Sequence, residues 1–323
     1  MKAISFTKPG PSSVLEYGEL PTPEPAAGEV RVRIAKSGVN PSDWKSRARA
    51  VYEASGERTI PHHDGAGVID AVGEGVDPAR IGQRVWLYFA AWQRPGGTAA
   101  QWTTVPDRLA VPLPDDVPDE VGASLGVPAI TAHNLLGNLG ALKGGTVLVN
   151  GFGAVGFAAL QLATWAGARV VVSTSSAEKR DLAKRLGADD TLDPTHPDNL
   201  AVARGLIPEK AIRIVEPALG ANIERDLAVL APSGTIAIYA TEGPAPSDLP
   251  VRSFINLNGR LEFTGLYWLP RESVTKAVEG INEALDAGYL RGYPIHRFAL
   301  EETAAAHDAL AGGIFGKVII DVP

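Results

Sequence analysis

Residues 146–180, TVLVNGFGAVGFAALQLATWAGARVVVSTSSAEKR, limit the fold of this chain more than any other stretch. The run 146–150 is short, apolar and β-branched, and reads as a buried strand. Gly151, Gly153 and Gly156 follow at once as G-x-G-x-x-G. Phe157, Leu160, Leu162, Ala163 and Ala166 then lie in a proline-free run that reads as a buried helix, and 169–174 is a second β-branched run. Strand, glycine turn, helix and strand form the context that a dinucleotide fingerprint requires. The glycines permit a tight turn, a close backbone approach to a pyrophosphate, and a helix seated on its strand. The helix N-terminus supplies unpaired N–H groups and partial positive charge. Gly151, Gly153, Ala154, Val155 and Gly156 are therefore the expected pyrophosphate cradle.

The end of the second strand selects the nucleotide. About 20 residues past the glycines an NAD site carries Asp or Glu for the ribose 2′-hydroxyl. Here Thr174, Ser175 and Ser176 stand there, followed by Lys179 and Arg180; Glu178 falls in the next helix. Hydroxyls and two cations suit a 2′-phosphate through charge-assisted hydrogen bonds, so the expected cofactor is NADPH. The competing reading has a serine that only caps the helix and a solvated Lys179.

Around this unit the chain changes character. Residues 1–115 are short apolar runs split by Gly and Pro, at 2–6, 29–35, 66–72, 83–89 and 99–105, which predicts a β-rich, barrel-like unit. A helical pattern spans 117–142, with Pro128 placed to kink or divide it. From 146 strands and helices alternate, with further strands expected at 190–192, 212–215, 235–240 and 261–267, so the second part is an α/β doubly wound parallel sheet. Ligands of such a sheet lie beyond the carboxyl ends of the strands. This places Glu216-Pro217, Ala240, Thr241 and the segment from Gly265 to Tyr267 near the cofactor. An amphipathic helix is expected over 273–287, and the remainder to 323 is expected to return to the first domain. The expected domains are 1–120, 121–268 and a C-terminal segment 269–323.

With 323 residues the chain is long enough for two domains. A net charge of −7 argues against nucleic acid or an anionic membrane as a default partner. No cysteine is present, which excludes disulfides, thiolate metal sites and a cysteine nucleophile. The N-terminus lacks the apolar core of a signal peptide, and no run of about 18 apolar residues occurs, so a cytoplasmic location is expected. His62 and His63 beside Asp64 raise the question of a metal. Neighbours in an extended segment point opposite ways, so no metal is expected there.

Taken in order, SGVNPSDWK (37–45), PHHDGAGVIDAVGEGV (61–76), IGQRV (81–85), GGTAAQW (96–102), PAITAHNLL (128–136), the nucleotide stretch, EKRDLAKRLGAD (178–189), PSGTIAIY (232–239) and GKVIIDV (316–322) resemble the zeta-crystallin-like quinone oxidoreductases, a zinc-free group of the medium-chain dehydrogenase/reductase superfamily. The resemblance runs from Met1 to Pro323. It implies a GroES-like catalytic domain, a Rossmann domain and a homodimer joined through the edge of the sixth strand. Where zinc-dependent relatives hold the metal with Cys, His and Cys or Asp, this chain has Asn40, His63 and Val127. The resemblance also implies that Asn40 lies beside the nicotinamide, that Thr131 contacts the cofactor and that Lys179 holds the 2′-phosphate. Pro194 replaces a tyrosine that many relatives place near the adenosine phosphate.

The expected activity is NADPH-dependent reduction of quinones or similar electron-poor carbonyl compounds. The cofactor carries the hydride chemistry, and the protein must align the partners and stabilise charge developing on oxygen. Asn40 and Tyr52 are the candidate neutral donors; capping of the following helix is the bland alternative for Asn40. An enoyl or alkenal double-bond reductase, or a non-catalytic NADPH-binding protein, would use the same parts.

Overall fold

The computed structural model describes residues 1–49, 58–244 and 248–323. It forms two compact units: Met1–Val127 with Tyr293–Pro323, and Pro128–Gly292.

The first unit opens with an antiparallel pair, β1 (Lys2–Ser5) and β2 (Glu16–Glu19). The long β3 (Glu29–Val39) leads into α1 (Pro41–Arg49). Four strands follow: β4 (Asp64–Val72), β5 (Arg84–Leu87), β6 (Trp102–Pro106) and β7 (Ala110–Pro112). The alternation in β3 has its expected result. Val30, Val32 and Ile34 are buried in the core, while Arg31 points the other way and pairs with Asp70 and Glu24 at 2.9 Å each. In the fifth run the strand starts only at Trp102 and extends to Pro106.

The helical pattern at 117–142 breaks into α2 (Asp119–Gly122), α3 (Gly126–Leu136) and a 3-10 turn at Leu139–Leu142. The break falls before Pro128. The proline sits in the first turn of α3, where its missing N–H would have had no helical partner, so it starts a helix instead of kinking one.

The second unit carries β8 (Thr146–Asn150), α4 (Ala154–Trp165), β9 (Arg169–Ser173), α5 (Ala177–Arg185), β10 (Asp190–Leu192) and α6 (Asn199–Leu206). It continues with β11 (Ala211–Glu216), α7 (Leu219–Val229), β12 (Leu230–Ile238), α8 (Val251–Leu257), β13 (Arg260–Phe263) and α9 (Arg271–Asp286). All six strands are parallel, in the order β10-β9-β8-β11-β12-β13. β8 is buried along its whole length, as a strand covered on both faces must be. The order reverses beside β8, so the turn that follows it lies at the switch point where such sheets bind ligands. The amphipathic helix α9 belongs to this unit and buries Val274, Ala277, Ile281, Ala284 and Leu285. The Gln161 side chain ties its C-terminal loop to α4: it accepts from Leu290 N at 3.2 Å and donates to Leu186 O at 2.7 Å.

The chain re-enters the first unit at Tyr293. There β14 (Ile295–Ala299), α10 (Thr303–Ala311) and β15 (Lys317–Asp321) complete a seven-stranded sheet, β14-β15-β3-β4-β5-β7, with β6 paired to β3. Among the described residues no helix is long and apolar enough to cross a membrane.

Candidate functional site

In the second unit the glycine turn has the shape a phosphate requires. Gly151 adopts φ +77°, the left-handed region, and its N–H bonds the carbonyl of Ser173 at 2.8 Å, tying the turn to the end of β9. A β-carbon on Gly156 would stand 2.1 Å from the carbonyl oxygen of Gly151, so α4 can lie this close to the turn only with glycine there. A β-carbon on Gly153 would meet nothing within 4 Å. Gly153 is the N-cap of α4 and makes no side-chain cap bond. The amides of Ala154, Val155 and Gly156 thus open a twelve-residue helix at an uncapped end, with space in front. These residues fit a dinucleotide pyrophosphate.

Because the strands are parallel, the residues after β9, β11, β12 and β13 share that end of the sheet. Thr174 is buried and donates its N–H to Leu192 O at 2.9 Å; Ser175 is exposed. Ser176 is the N-cap of α5, accepting from Lys179 N at 3.3 Å. Arg180 is committed to the protein. Its Nη1 donates to the carbonyls of Thr174 at 2.8 Å and Ser175 at 2.9 Å, and pairs with Asp193 at 3.0 Å. It stiffens the loop at the end of β9. Ala240 and Thr241 lie just past the end of β12, with Thr241 exposed; past β13, Gly265 caps a 3-10 turn that contains Tyr267. Thr131 is buried in α3.

Behind the turn lies a network that sequence reading did not assemble. Asn150, at the end of β8, donates Nδ2 to Glu216 at 2.5 Å and to Asp226 at 2.9 Å, and its Oδ1 accepts from Arg225 at 2.8 Å. Glu216 also accepts from Asn222 at 3.1 Å and from Ala218 N. Burial, and then the neighbouring Glu216, pushes Asp226 well above its ordinary value. Glu216 therefore serves the architecture behind the turn.

In the first unit β4 and β15 flank β3 antiparallel, and both begin where β3 ends. Three polar side chains meet there: Asn40 just past β3, Asp64 opening β4 and Lys317 opening β15. Asn40 Nδ2 donates to Asp64 Oδ2 at 2.7 Å, and Lys317 Nζ donates to Asn40 Oδ1 at 2.6 Å while lying 3.6 Å from Asp64 Oδ2. All three are buried. Asp64 also accepts from Val127 N, at 2.9 and 3.0 Å, in the first turn of α3. Asp43 reaches back from the first turn of α1 to accept from Asn40 N at 2.6 Å, as the carboxylate of a capping box does. The Asn40 side chain itself takes no part in that cap.

Burial, then the charge of Asp64, raises Asp43 to about 8, so Asp43 holds its proton at neutral pH. Burial also pushes Asp64 upward and Lys317 downward; each is opposed by the other's charge. Asp64 accepts bonds from Asn40 and Val127 and faces the Lys317 side chain, and these contacts favour its charged form against burial. His63 is lowered to about 3 by burial and faces Asp43 at 3.9 Å.

His62 points the other way, with φ +80°. Thr98 Oγ1 donates to Asp64 O at 2.6 Å, so Ser37 must donate to Thr98 at 2.7 Å. The Ser37 oxygen then accepts from His62 Nδ1 at 2.8 Å, and His62 Nε2 accepts from His307 Nε2 at 2.8 Å. Each donor in this buried chain is set by the one before it.

This cluster does not fit a metal. The Asn40 oxygen is taken by Lys317 and one of its N–H groups by Asp64, and Val127 presents its backbone N–H to Asp64. A lysine ammonium already supplies the local positive charge. Among the described residues no group of three or more His, Asp or Glu could hold an ion. Tyr52, the second candidate donor, lies outside the described residues. Sequence reading missed Lys317, Asp64 and the full role of Asp43. Lys317 left one signal, a lysine opening the otherwise apolar strand KVII.

Two family models match: the alcohol dehydrogenase GroES-like domain over residues 26–115, and zinc-binding dehydrogenase over 154–283. A quinone oxidoreductase of Pseudomonas aeruginosa is 30% identical, covering 96% of this chain and 96% of its own. Mycobacterial Rv1454c complexed with NADPH superposes with a TM-score of 0.81 at 29% identity, over 99% of both chains. An NAD-dependent alcohol dehydrogenase superposes with a TM-score of 0.87 at 26% identity, over 100% of both. By its two domains and its full-length likeness, the chain belongs to the quinone oxidoreductase family of the medium-chain dehydrogenases/reductases.

Proposed function

We propose that this chain reduces quinones and related electron-poor carbonyl compounds with NADPH. One observation carries the reading. The uncapped start of α4 stands beside a β9 end that offers a serine hydroxyl and Lys179 where an NAD site offers a carboxylate. The NADPH complex of mycobacterial Rv1454c supports the same cofactor; the NAD-dependent neighbour points the other way, and the lack of a carboxylate at the β9 end favours NADPH.

When bound, NADPH supplies a hydride. The amides of Ala154, Val155 and Gly156 hold the pyrophosphate, with Gly151 and Gly153 allowing its approach. Ser175, Ser176 and Lys179 take the 2′-phosphate, and Thr174 and Arg180 shape the loop beneath it. Thr131, Ala240, Thr241, Gly265 and Tyr267 supply further cofactor contacts. The Asn40 amide donates to the acceptor oxygen as negative charge grows on it, with Tyr52 as a second donor. A proton from water completes the hydroquinone, so the overall change is NADPH, a proton and a quinone to NADP⁺ and a hydroquinone.

We also propose a homodimer through β13. Among the described residues that strand pairs only with β12. Around it Phe263 is 72% exposed, Trp268 76% and Ile255 64%, more apolar surface than an edge strand left to solvent usually carries.

The test is NADPH oxidation under metal-free conditions against quinones, enals and enones. Quinones turned over fastest support the reading. A preference for enals or enones would make the chain a double-bond reductase, and binding without turnover of any acceptor would make it a sensor.

A further inference from the structure

The contacts of Asn40 leave its amide one orientation. A flip would set its NH₂ against the Lys317 ammonium and its carbonyl against the Asp64 carboxylate, both repulsive. Of the two Nδ2 hydrogens, one goes to Asp64; among the described residues the second meets no acceptor. With an ammonium on its carbonyl oxygen and a carboxylate on one N–H, the amide is held at both ends and its remaining N–H keeps one direction.

The surrounding backbone is shaped around these side chains. A β-carbon on Gly126 would stand 2.1 Å from Asp64 Oδ1, and one on Gly38 would stand 1.9 Å from Ala123 O and 3.2 Å from Lys317 Cε. Two glycines thus clear the space that the carboxylate and the lysine stem occupy. The Lys317 side chain is 3% exposed and that of Asp64 0%, so the pair works without competing water.

We propose that Lys317 is a positioning residue for the reduction: its ammonium, held on the Asn40 carbonyl oxygen, fixes the direction of the amide and so of the N–H that meets the acceptor oxygen. This rests on the reading of the chain as a hydride-transfer reductase. Lys317 touches neither cofactor nor acceptor, and acts through Asn40.

The main test compares wild type with the double variant Asp64→Asn, Lys317→Met, which removes both buried charges together so that neither is stranded. Tight NADPH binding, read by calorimetry, should survive. The kcat should fall about 10- to 100-fold, the range for weakening one oxyanion donor, with KM changed much less. Side-chain ¹⁵N spectra, with the Asn40 amide assigned by its loss in Asn40→Ala, should show that resonance moving in the double variant. An unmoved Asn40 resonance, or a kcat within about twofold of wild type, overturns the proposal. Should the double variant not fold, the ¹⁵Nζ spectrum of wild-type Lys317 decides: a slowly exchanging charged ammonium near neutral pH supports the proposal, and a neutral amine overturns it. The spectra need no turnover. A wild type that oxidises NADPH with no acceptor would therefore sink the functional reading, while the hold of Lys317 on Asn40 would still be judged by its own signal.

Discussion

The β-carbon that Gly156 lacks would lie 2.1 Å from the carbonyl oxygen of Gly151. The obstacle is backbone, which cannot swing aside as a flexible side chain can. Gly156→Ala must push α4 off the turn. We expect a loss of about 1–3 kcal/mol of stability, typical of an overpacked core, and NADPH binding weakened by at least about tenfold as the amides of Ala154 and Val155 move away from the phosphate. Calorimetry with NADPH and urea unfolding would measure both. Unchanged affinity would mean that the turn does not hold the pyrophosphate.

Lys179 tests the choice of nucleotide. Arg180 is bound to Asp193 and two carbonyls, so loss of Lys179 has no ready replacement. Lys179→Ala should weaken NADPH by about 1.5–3 kcal/mol, roughly 10- to 150-fold, and leave NADH nearly unaffected. Titration of both nucleotides is the measurement. Equal weakening of the two would reject a phosphate-specific role.

Two buried groups set opposite slopes of stability against pH. Asp43, raised to about 8 by burial and by Asp64, keeps its proton when folded, whereas the unfolded chain loses it near pH 4. Its contribution therefore falls as pH rises from about 4 to about 8, by about 1.4 kcal/mol per pH unit at most, and levels off above. Asp43→Asn should remove that slope. His307, lowered to about 3 mainly by burial, stays neutral when folded, while the unfolded chain takes up a proton below about pH 6.5. Its contribution is complete above that pH and falls as the pH drops toward 3. His307→Gln should flatten the acid limb by about one proton's worth. Denaturant unfolding across pH 4–9 would separate the two, and parallel curves for variant and wild type would contradict either claim.

The exposed edge at β13 makes the dimer testable. Phe263→Lys places a charge on a residue 72% exposed, so it should leave the protomer folded while breaking a β13–β13 contact. Light scattering should report the mass of two chains for wild type and of one for the variant. A monomeric wild type, or a variant that stays dimeric, would count against this interface.

The nucleotide-binding half was open to reading because its signals are local. A β-branched run, a glycine with positive φ, an uncapped helix and a serine N-cap at 176 each act within a few residues, so neighbours in sequence suffice to specify them. The division of the 117–142 pattern was harder to see, because α2 and α3 are parted by a break at 123–125 that carries no Gly or Pro before Gly126. Arg180 shows the limit. Its charge suggested a phosphate ligand, but Asp193 arrives from the end of the next strand and binds it. At the Asn40 site the partners Asp64 and Lys317 are 24 and 277 residues away. The chain alone could mark Asn40 as polar and as a good cap. Antiparallel pairing of β4 and β15 on either side of β3 brought a carboxylate and an ammonium to its two ends, and so assigned its amide a direction that no local propensity encodes.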